Sequence, residues 1–326
     1  MKPKPLDNGI YELDMLKTKL DALLDQSRQY MAMSKSENTS VAYNSDFNHF
    51  RKWCEYHGLP FLPTTDEAYV MYLTDLAAAG FKVSTIKRRM TSISQAHQLK
   101  EYPSPNTIYV KTVWSGIRKM HGSAENGKKP ITITLLKEML LQVPNGKMIG
   151  YRDKSLLLMG FSGAFRRSEL TNLDVEDVSV TPEGLIVRIK KSKTDQEGKG
   201  QTIGIPYGNN ASTCPVRAYL SWIKQANIIK GPIFRSVNKH SQVSESRLST
   251  KGVALIIKKY ASAIGLDDFD YSGHSLRSGF ATTAAMLGKS ERAIKDQTRH
   301  TSDAMLRKYI RMGSIFTENA ATNIGL

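Results

Sequence analysis

Residues 271–287 read YSGHSLRSGFATTAAML. His274 and Arg277 stand three apart at the start of a helix there, which makes them neighbours on its surface, and Leu276, Phe280 and Leu287 are expected to go inward. Neither polar residue is distinctive alone. A histidine at a helix start usually serves the local backbone, and an arginine on a helix is usually solvated. What gives the pair meaning is the rest of the same half of the chain.

In GAFRRSEL, 163–170, Arg166 and Glu169 repeat the three-residue step on one helical face, so the carboxylate can hold the guanidinium in place. The apolar period then changes to two in GLIVRIKKSKTDQEGKGQTIGIPYG, 184–208, which predicts two strands joined by a Gly- and charge-rich turn. Leu185, Val187, Ile189, Lys191 and Lys193 share one parity, so without a bulge Lys193 continues the apolar face at the strand end. Helices resume at CPVRAYLSWIKQAN and end with RHTSDAMLRKYIRMG, 299–313. Thr301 or Ser302 can cap that last helix, Asp303 suits the positive end of its dipole, and Arg307, Lys308 and Arg311 suit the negative end. Met305, Leu306, Tyr309 and Ile310 share a face, and on pattern alone Tyr309 is a packed aromatic. Jointly the two arginines, the lysine and one or two histidines make a pocket suited to a phosphate.

The first half of the chain is helical by period. Leu13, Leu16, Leu20, Leu23 and Leu24 pattern an N-terminal extension within 1–32. Tyr43, Phe47, Phe50 and Trp53 or Cys54 then form a stripe. A second helix follows, with Thr64 and Glu67 at capping-box spacing and Gly80 as its stop. A third has Ser84 as cap and Ile86, Met90 and Ile93 inward, and a fourth has Val110, Val113, Trp114 and Ile117 inward. Lys87, Arg88 and Arg89 on the third helix, and Lys111, Arg118 and Lys119 on the fourth, read as outward cations, either solvated surface or a DNA-facing one. HGSAENGKKP, 121–130, reads as an exposed linker. The division expected is therefore 1–32, 33–120, 121–130 and a second, mostly helical domain over 131–326.

Bulk properties narrow the partner. The chain has 326 residues, with 46 Lys and Arg against 30 Asp and Glu, a net charge of +16. An excess of that size points to a polyanion, nucleic acid first. No apolar run approaches the ~20 residues needed to cross a bilayer, no basic amphipathic helix or lipidation signal speaks for a membrane surface, and a secretory signal is not evident. Cys54 and Cys214 have no CxxC spacing and read as reduced thiols of a cytoplasmic protein. There is no GxxxxGK loop for ATP and no carboxylate cluster for paired metal ions. His274 and His300, each beside arginines, are poor metal ligands.

GAFRRSEL, KKSKT, GHSLRSGFAT and a histidine followed nine residues later by tyrosine, His300 and Tyr309, closely resemble the tyrosine recombinases, the phage integrase family. NTSVAYNSDFNHFRKWC and VSTIKRRMTSISQAH look like the core-binding domain of its Cre-like members, and the resemblance spans about residues 35 to 315. It implies a mainly α fold: a SAM-like core-binding bundle of four to five helices, and a catalytic domain of the DNA breaking-rejoining type with a small antiparallel sheet. By position, Tyr309 matches the nucleophile, Arg166 and Arg277 the phosphate clamps, Lys193 the sheet lysine, His274 and His300 the further site residues, and Glu169 the supporting acid. Two departures stand out: Phe165 where leucine is frequent, and Thr298-Arg299 where Leu-Gly is frequent.

The implied activity is site-specific recombination through a 3′-phosphotyrosyl intermediate, without ATP or another cofactor. The implied partner is double-stranded DNA with inverted half-sites, held in a C-shaped clamp by a homo-tetramer on two duplexes, the free chain being a monomer or weak oligomer. The tail SIFTENAATNIGL, with Ile315 and Phe316, would dock on a neighbouring protomer. Two other readings stay open: a type IB topoisomerase, which shares the site, and a non-catalytic DNA-binding regulator that keeps the fold.

Overall fold

The structure, a computed structural model, describes residues 18–27, 30, 37–122, 127–190, 200–300, 303, 306, 307, 309 and 310. By contact it forms two compact units, Met1–Glu125 and Asn126–Leu326. In the first, residues 18–27 are helical and expose Leu20, Leu23 and Leu24. Four helices follow: α1 Glu37–His57, α2 Asp66–Ala78, α3 Val83–Leu99 and α4 Ile108–His121. Their apolar stripes meet in one core of Phe50, Cys54, Tyr69, Tyr72, Leu73, Ile86, Ile93 and Val110. Burying each of the large ones contributes about 1.5–3 kcal/mol. The rings of Phe50 and Tyr72 meet at a tilt, with centroids 4.8 Å apart.

Three details of this unit differ from the sequence reading. Thr65, not Thr64, caps α2, accepting from Ala68 N–H at 3.2 Å. Helix α3 starts from Lys82 without a side-chain cap, so Ser84 lies inside the first turn. Arg89, expected outward, is buried: its guanidinium lies 3.6 Å from Asp46, contacts His49 and Tyr72, and covers the ring of Phe81. The reason is Asp46, buried on α1, whose carboxylate draws both Arg89 and the forked Arg88. Lys87, Lys111, Arg118 and Lys119 are exposed, and so is Arg88 although it is paired with Asp46.

The second unit holds α5 Ile133–Leu141, α6 Met148–Ser162, α7 Arg167–Asn172, α8 Pro215–Gln225, α9 Thr250–Ala263, α10 Gly273–Met286 and α11 Glu291–Thr298. The two predicted strands are present as β2 Gly184–Ile189 and β3 Gln201–Pro206, and β1 Val178–Val180 joins them in an antiparallel sheet ordered β1-β2-β3. Leu185, Val187 and Ile189 are buried, as their parity requires. A second antiparallel pair, β4 Arg235–Val237 and β5 Val243–Arg247, is too short and polar to announce itself by alternation. Helices and sheet close over Leu156, Phe165, Val187, Trp222, Phe234, Ile257 and Tyr260. Inside, Asp153 is satisfied by Arg152 and by the Tyr260 hydroxyl at 2.7 Å.

Helix α10 lies deep in this unit, and glycine lets it approach other backbone. A Cβ on Gly279 would sit 1.8 Å from the Ile131 carbonyl oxygen. Small residues, Ala281, Ala284 and Ala285, carry the apolar face onward, so Leu287 is at the helix end and exposed, against expectation.

Candidate active site

Three chain breaks bring the charged residues of the second unit together. Between α6 and α7 the chain turns at Ala164, with φ +45°. Arg166 is therefore the residue capping α7, not one within a continuous helix, and Glu169 is its third residue. The carboxylate reaches back to the Arg166 backbone N–H at 2.9 Å and also accepts from its guanidinium. At α10, Ser272 caps the helix and exchanges hydrogen bonds with Ser275, which fixes the turn carrying His274 and Arg277. Gly273 is required there because a Cβ would meet the Arg167 side chain. At the end of α11, Arg299 takes the left-handed conformation, φ 57° and ψ 42°, and turns the chain into His300.

The resulting geometry gathers Arg166, Glu169, His274, Arg277, His300 and Tyr309. His274 Nε2 is 2.7 Å from the Tyr309 hydroxyl. The Tyr309 ring centroid lies 6.0 Å from that of each histidine. Leu306, on the same face as Tyr309, is fully buried with Ala281 and Ile294, so the apolar side of this helix anchors it as its pattern implied. Arg277 is almost fully buried. Its Nη1 donates to the Ala164 carbonyl at 2.8 Å, and its Nη2 has no hydrogen-bond partner among the described residues. Lys193 lies outside the described residues, as do Lys191, Thr301, Ser302, Lys308 and the tail after Ile310. Lys190, which leads into Lys193's hairpin, is held by Asp177 at 2.7 Å.

Electrostatics follow from burial. Desolvation, aided by Arg277, Arg166 and Arg167, lowers the His274 pKa and favours a neutral ring, so its Nε2 can accept the phenolic proton. Burial, with the cations Arg166 and Arg299, brings Arg277 down to about 9, partly offset by Glu169 and Tyr309; it remains a cation at neutral pH. Burial alone would raise Glu169, yet Arg299, the Arg166 N–H and the Arg166 guanidinium outweigh it and hold the carboxyl below its usual range.

His300 is set by Thr298. The Thr298 hydroxyl gives its proton to the Ile294 carbonyl at 2.6 Å, so at 2.8 Å it accepts from His300 Nδ1. That leaves His300 Nε2, buried and without a partner among the described residues, as the ring's lone-pair nitrogen. Burial first, then Arg277, Arg166, His274 and Arg299, push His300 down to about 3 from an ordinary 6.5. Between those values the unfolded chain binds a proton that the folded chain refuses. Stability from this group is whole above about 6.5 and drains away as pH falls toward 3. His300→Gln is accordingly expected to flatten the loss of unfolding free energy between pH 7 and 4. Identical slopes in the two proteins, measured by urea titration, would contradict the assignment.

Arg299 is the site residue that pattern reading undervalued. It is buried, pairs with Glu169 at 2.9 Å, and donates to the carbonyls of Gly163, Ala164 and Gln297. Its guanidinium lies over the ring of Phe165 at 5.5 Å. The two departures from the family pattern are thus in contact. The available signal was a cation at a position where glycine is usual, which marks a left-handed turn occupied for a reason.

Known proteins resemble the chain over both of its units. The profile of the phage integrase family matches residues 136–313, and that of the phage integrase N-terminal SAM-like domain matches 28–101. An integrase/recombinase xerD homolog of Selenomonas ruminantium is 41% identical over 300 residues, 90% of this chain and 87% of its own. Tyrosine recombinase XerC of Syntrophus aciditrophicus is 28% identical, over 89% of this chain and 93% of its own. Among solved structures, XerH bound to a palindromic difH substrate after cleavage aligns with a TM-score of 0.59 at 16% identity, covering 79% of this chain and 72% of that one. A lambda integrase dimer on a COC′ core site gives 0.56 at 16%, covering 90% and 95%. The fold is that of enzymes that break and rejoin DNA. The chain belongs to the phage integrase family, the tyrosine recombinases, and its activity is site-specific DNA cleavage and rejoining.

Proposed function

We propose that Tyr309 is the nucleophile, that Arg166 and Arg277 clamp the scissile phosphate, and that the enzyme exchanges strands between two short sites with inverted half-sites. The carrying observation is the Tyr309 hydroxyl on His274 Nε2 beside a buried arginine with an unmatched donor. A free tyrosine, with a pKa near 10, is a phenolate only about once in a thousand at pH 7. Neutral His274 takes the proton as the phenolic oxygen bonds to phosphorus. The guanidiniums stabilise the charge that builds on the phosphorane. The bond to the 5′-oxygen breaks, and that oxygen takes a proton, which we assign to Lys193. His300 is the further site residue, its unprotonated Nε2 offering a lone pair and no proton, and Glu169 holds Arg166 in place. Because one phosphoester replaces another, rejoining is the same sequence reversed and no ATP is needed.

Lys87, Lys111, Arg118 and Lys119, exposed on α3 and α4, are assigned to phosphate contacts outside the scissile position. Four protomers on two duplexes provide the symmetry that inverted half-sites demand. The tail with Ile315 and Phe316 is assigned to an apolar cavity of about 440 Å³ on a neighbouring catalytic domain, between β3, the start of α8, and α10 and α11, lined by Pro206, Pro215, Phe280, Ala284 and Ile294. We place the protein in the cytoplasm, with the DNA. Among the described residues no helix is long and apolar enough to cross a membrane.

The test is selection of bound duplexes from a random DNA pool, followed by mixing two differently labelled copies of the selected site. Paired inverted half-sites and recombinant products are expected. A single unsymmetrical motif that is bound but never recombined would overturn the reading in favour of a regulator, and relaxation of supercoiled DNA without any preferred site would favour a topoisomerase.

A further inference from the structure

Two groups proposed to hold the phosphate, Arg166 and Arg277, have no direct contact with each other in the hydrogen-bond pattern around them, yet one side chain touches the support of both. Arg299 Nη2 donates to Glu169 Oε2, and the same carboxylate accepts from Arg166. Arg299 Nη2 also donates to the Ala164 carbonyl oxygen, which accepts from Arg277 Nη1. The Arg299 backbone carbonyl in turn faces Arg166 Nη2 at 3.4 Å.

Nothing about local backbone preference asks for arginine here. The residue sits at φ +57°, where a side chain is strained and glycine is at ease. Nor does solvation favour it, since the side chain is 3% exposed and its Nε lies buried without a partner among the described residues. A buried guanidinium in a strained turn needs compensation from what it binds. What it binds is a carboxylate, three carbonyl oxygens and the face of Phe165. Lysine, a point donor on a flexible stem, could not span that set, whereas the planar fork can.

We propose that Arg299 is a positioning residue that locks the Arg166 and Arg277 guanidiniums into one fixed clamp, through the Glu169 carboxylate on one side and the Ala164 carbonyl on the other. It does not contact the phosphate. Phe165 forms the floor on which its guanidinium rests, and the aromatic residue and the arginine act as a pair. Without Arg299, Glu169 keeps only Arg166, Ala164 keeps only Arg277, and the two donors settle independently of each other.

The inference rests on the reading of Arg166 and Arg277 as the clamp, and the experiment separates the two. Single-turnover formation of the covalent protein-DNA adduct is measured at saturating DNA for the native protein, Arg299→Gly, Arg166→Lys and the double variant. Glycine suits the left-handed turn, so Arg299→Gly removes the fork without adding strain. The expected result is a loss of about tenfold or more in cleavage rate for Arg299→Gly, with DNA affinity little changed, because misplacement of a clamp acts on the rate. In the Arg166→Lys background the same substitution is expected to lose less than about threefold, since residues acting as a unit are not additive. Native cleavage by Arg299→Gly, or an equal factor in both backgrounds, would overturn the proposal. Arg299→Gln, which keeps a long polar side chain, carries the same cycle should the glycine variant fail to fold. A silent Arg166→Lys would instead undo the clamp reading itself.

Discussion

Replacing Arg277 with methionine is expected to lower the rate of DNA cleavage at saturating substrate by about 10²–10³-fold, the usual loss when one donor to a developing oxyanion is removed. It is also expected to leave the protein at least as stable. The second expectation distinguishes this arginine from an ordinary structural one. Burial, together with Arg166 and Arg299, depresses its pKa to about 9, which means that the folded state disfavours its charge. One of its terminal nitrogens is buried with no acceptor among the described residues. Methionine fills comparable volume without a charge to desolvate, and such exchanges are often neutral or stabilising. Thermal unfolding and single-turnover cleavage on the same preparation check both halves. A large drop in melting temperature would make Arg277 a structural residue.

Glu169→Ala is expected to do the opposite, with a loss of about 3–5 kcal/mol in unfolding free energy at pH 7, the range for breaking a buried ionic group by removing one partner. The carboxylate is buried, and it satisfies Arg299, the Arg166 guanidinium and the Arg166 backbone N–H together. Removing it leaves two cations facing each other without a counterion. Its folded-state pKa lies below the usual carboxylate value, so its contribution is present above that value and is lost as pH falls through the folded-state pKa. Urea titration at neutral and acid pH therefore should show the native and Glu169→Ala proteins converging at low pH. A deficit below about 1 kcal/mol at pH 7 would place Glu169 among surface pairs.

The helical stripes of the first unit were legible because Phe50, Ile86, Ile93 and Val110 recur at helical spacing and are indeed its core. The strands β2 and β3 were legible because Leu185, Val187 and Ile189 alternate. Arg89 was misread because periodicity sees only apolar residues, and a buried Asp46 can draw a cation inward from a position that looks outward. Leu287 was misread because alanines, not leucines, form the late inner face of α10. In the site, spacing brought out Arg166 with Glu169 and His274 with Arg277. It could not show that Arg166 caps a helix after a positive-φ turn, nor that Thr298 orders the His300 ring. Such features depend on single-residue backbone turns and on contacts between segments more than a hundred residues apart, as between Glu169 and Arg299.

Tyr309 is expected to become covalently joined to DNA. The direct measurement is to trap the native protein on a duplex recovered from the random pool, denature it, digest it with protease and identify the peptide that carries the nucleotide. The expected result is a 3′-phosphotyrosyl bond on Tyr309 and a free 5′-hydroxyl on the departing strand, with no adduct from Tyr309→Phe although that variant still binds the duplex. An adduct that persists in Tyr309→Phe, or one mapped to another residue of the native protein, would contradict it.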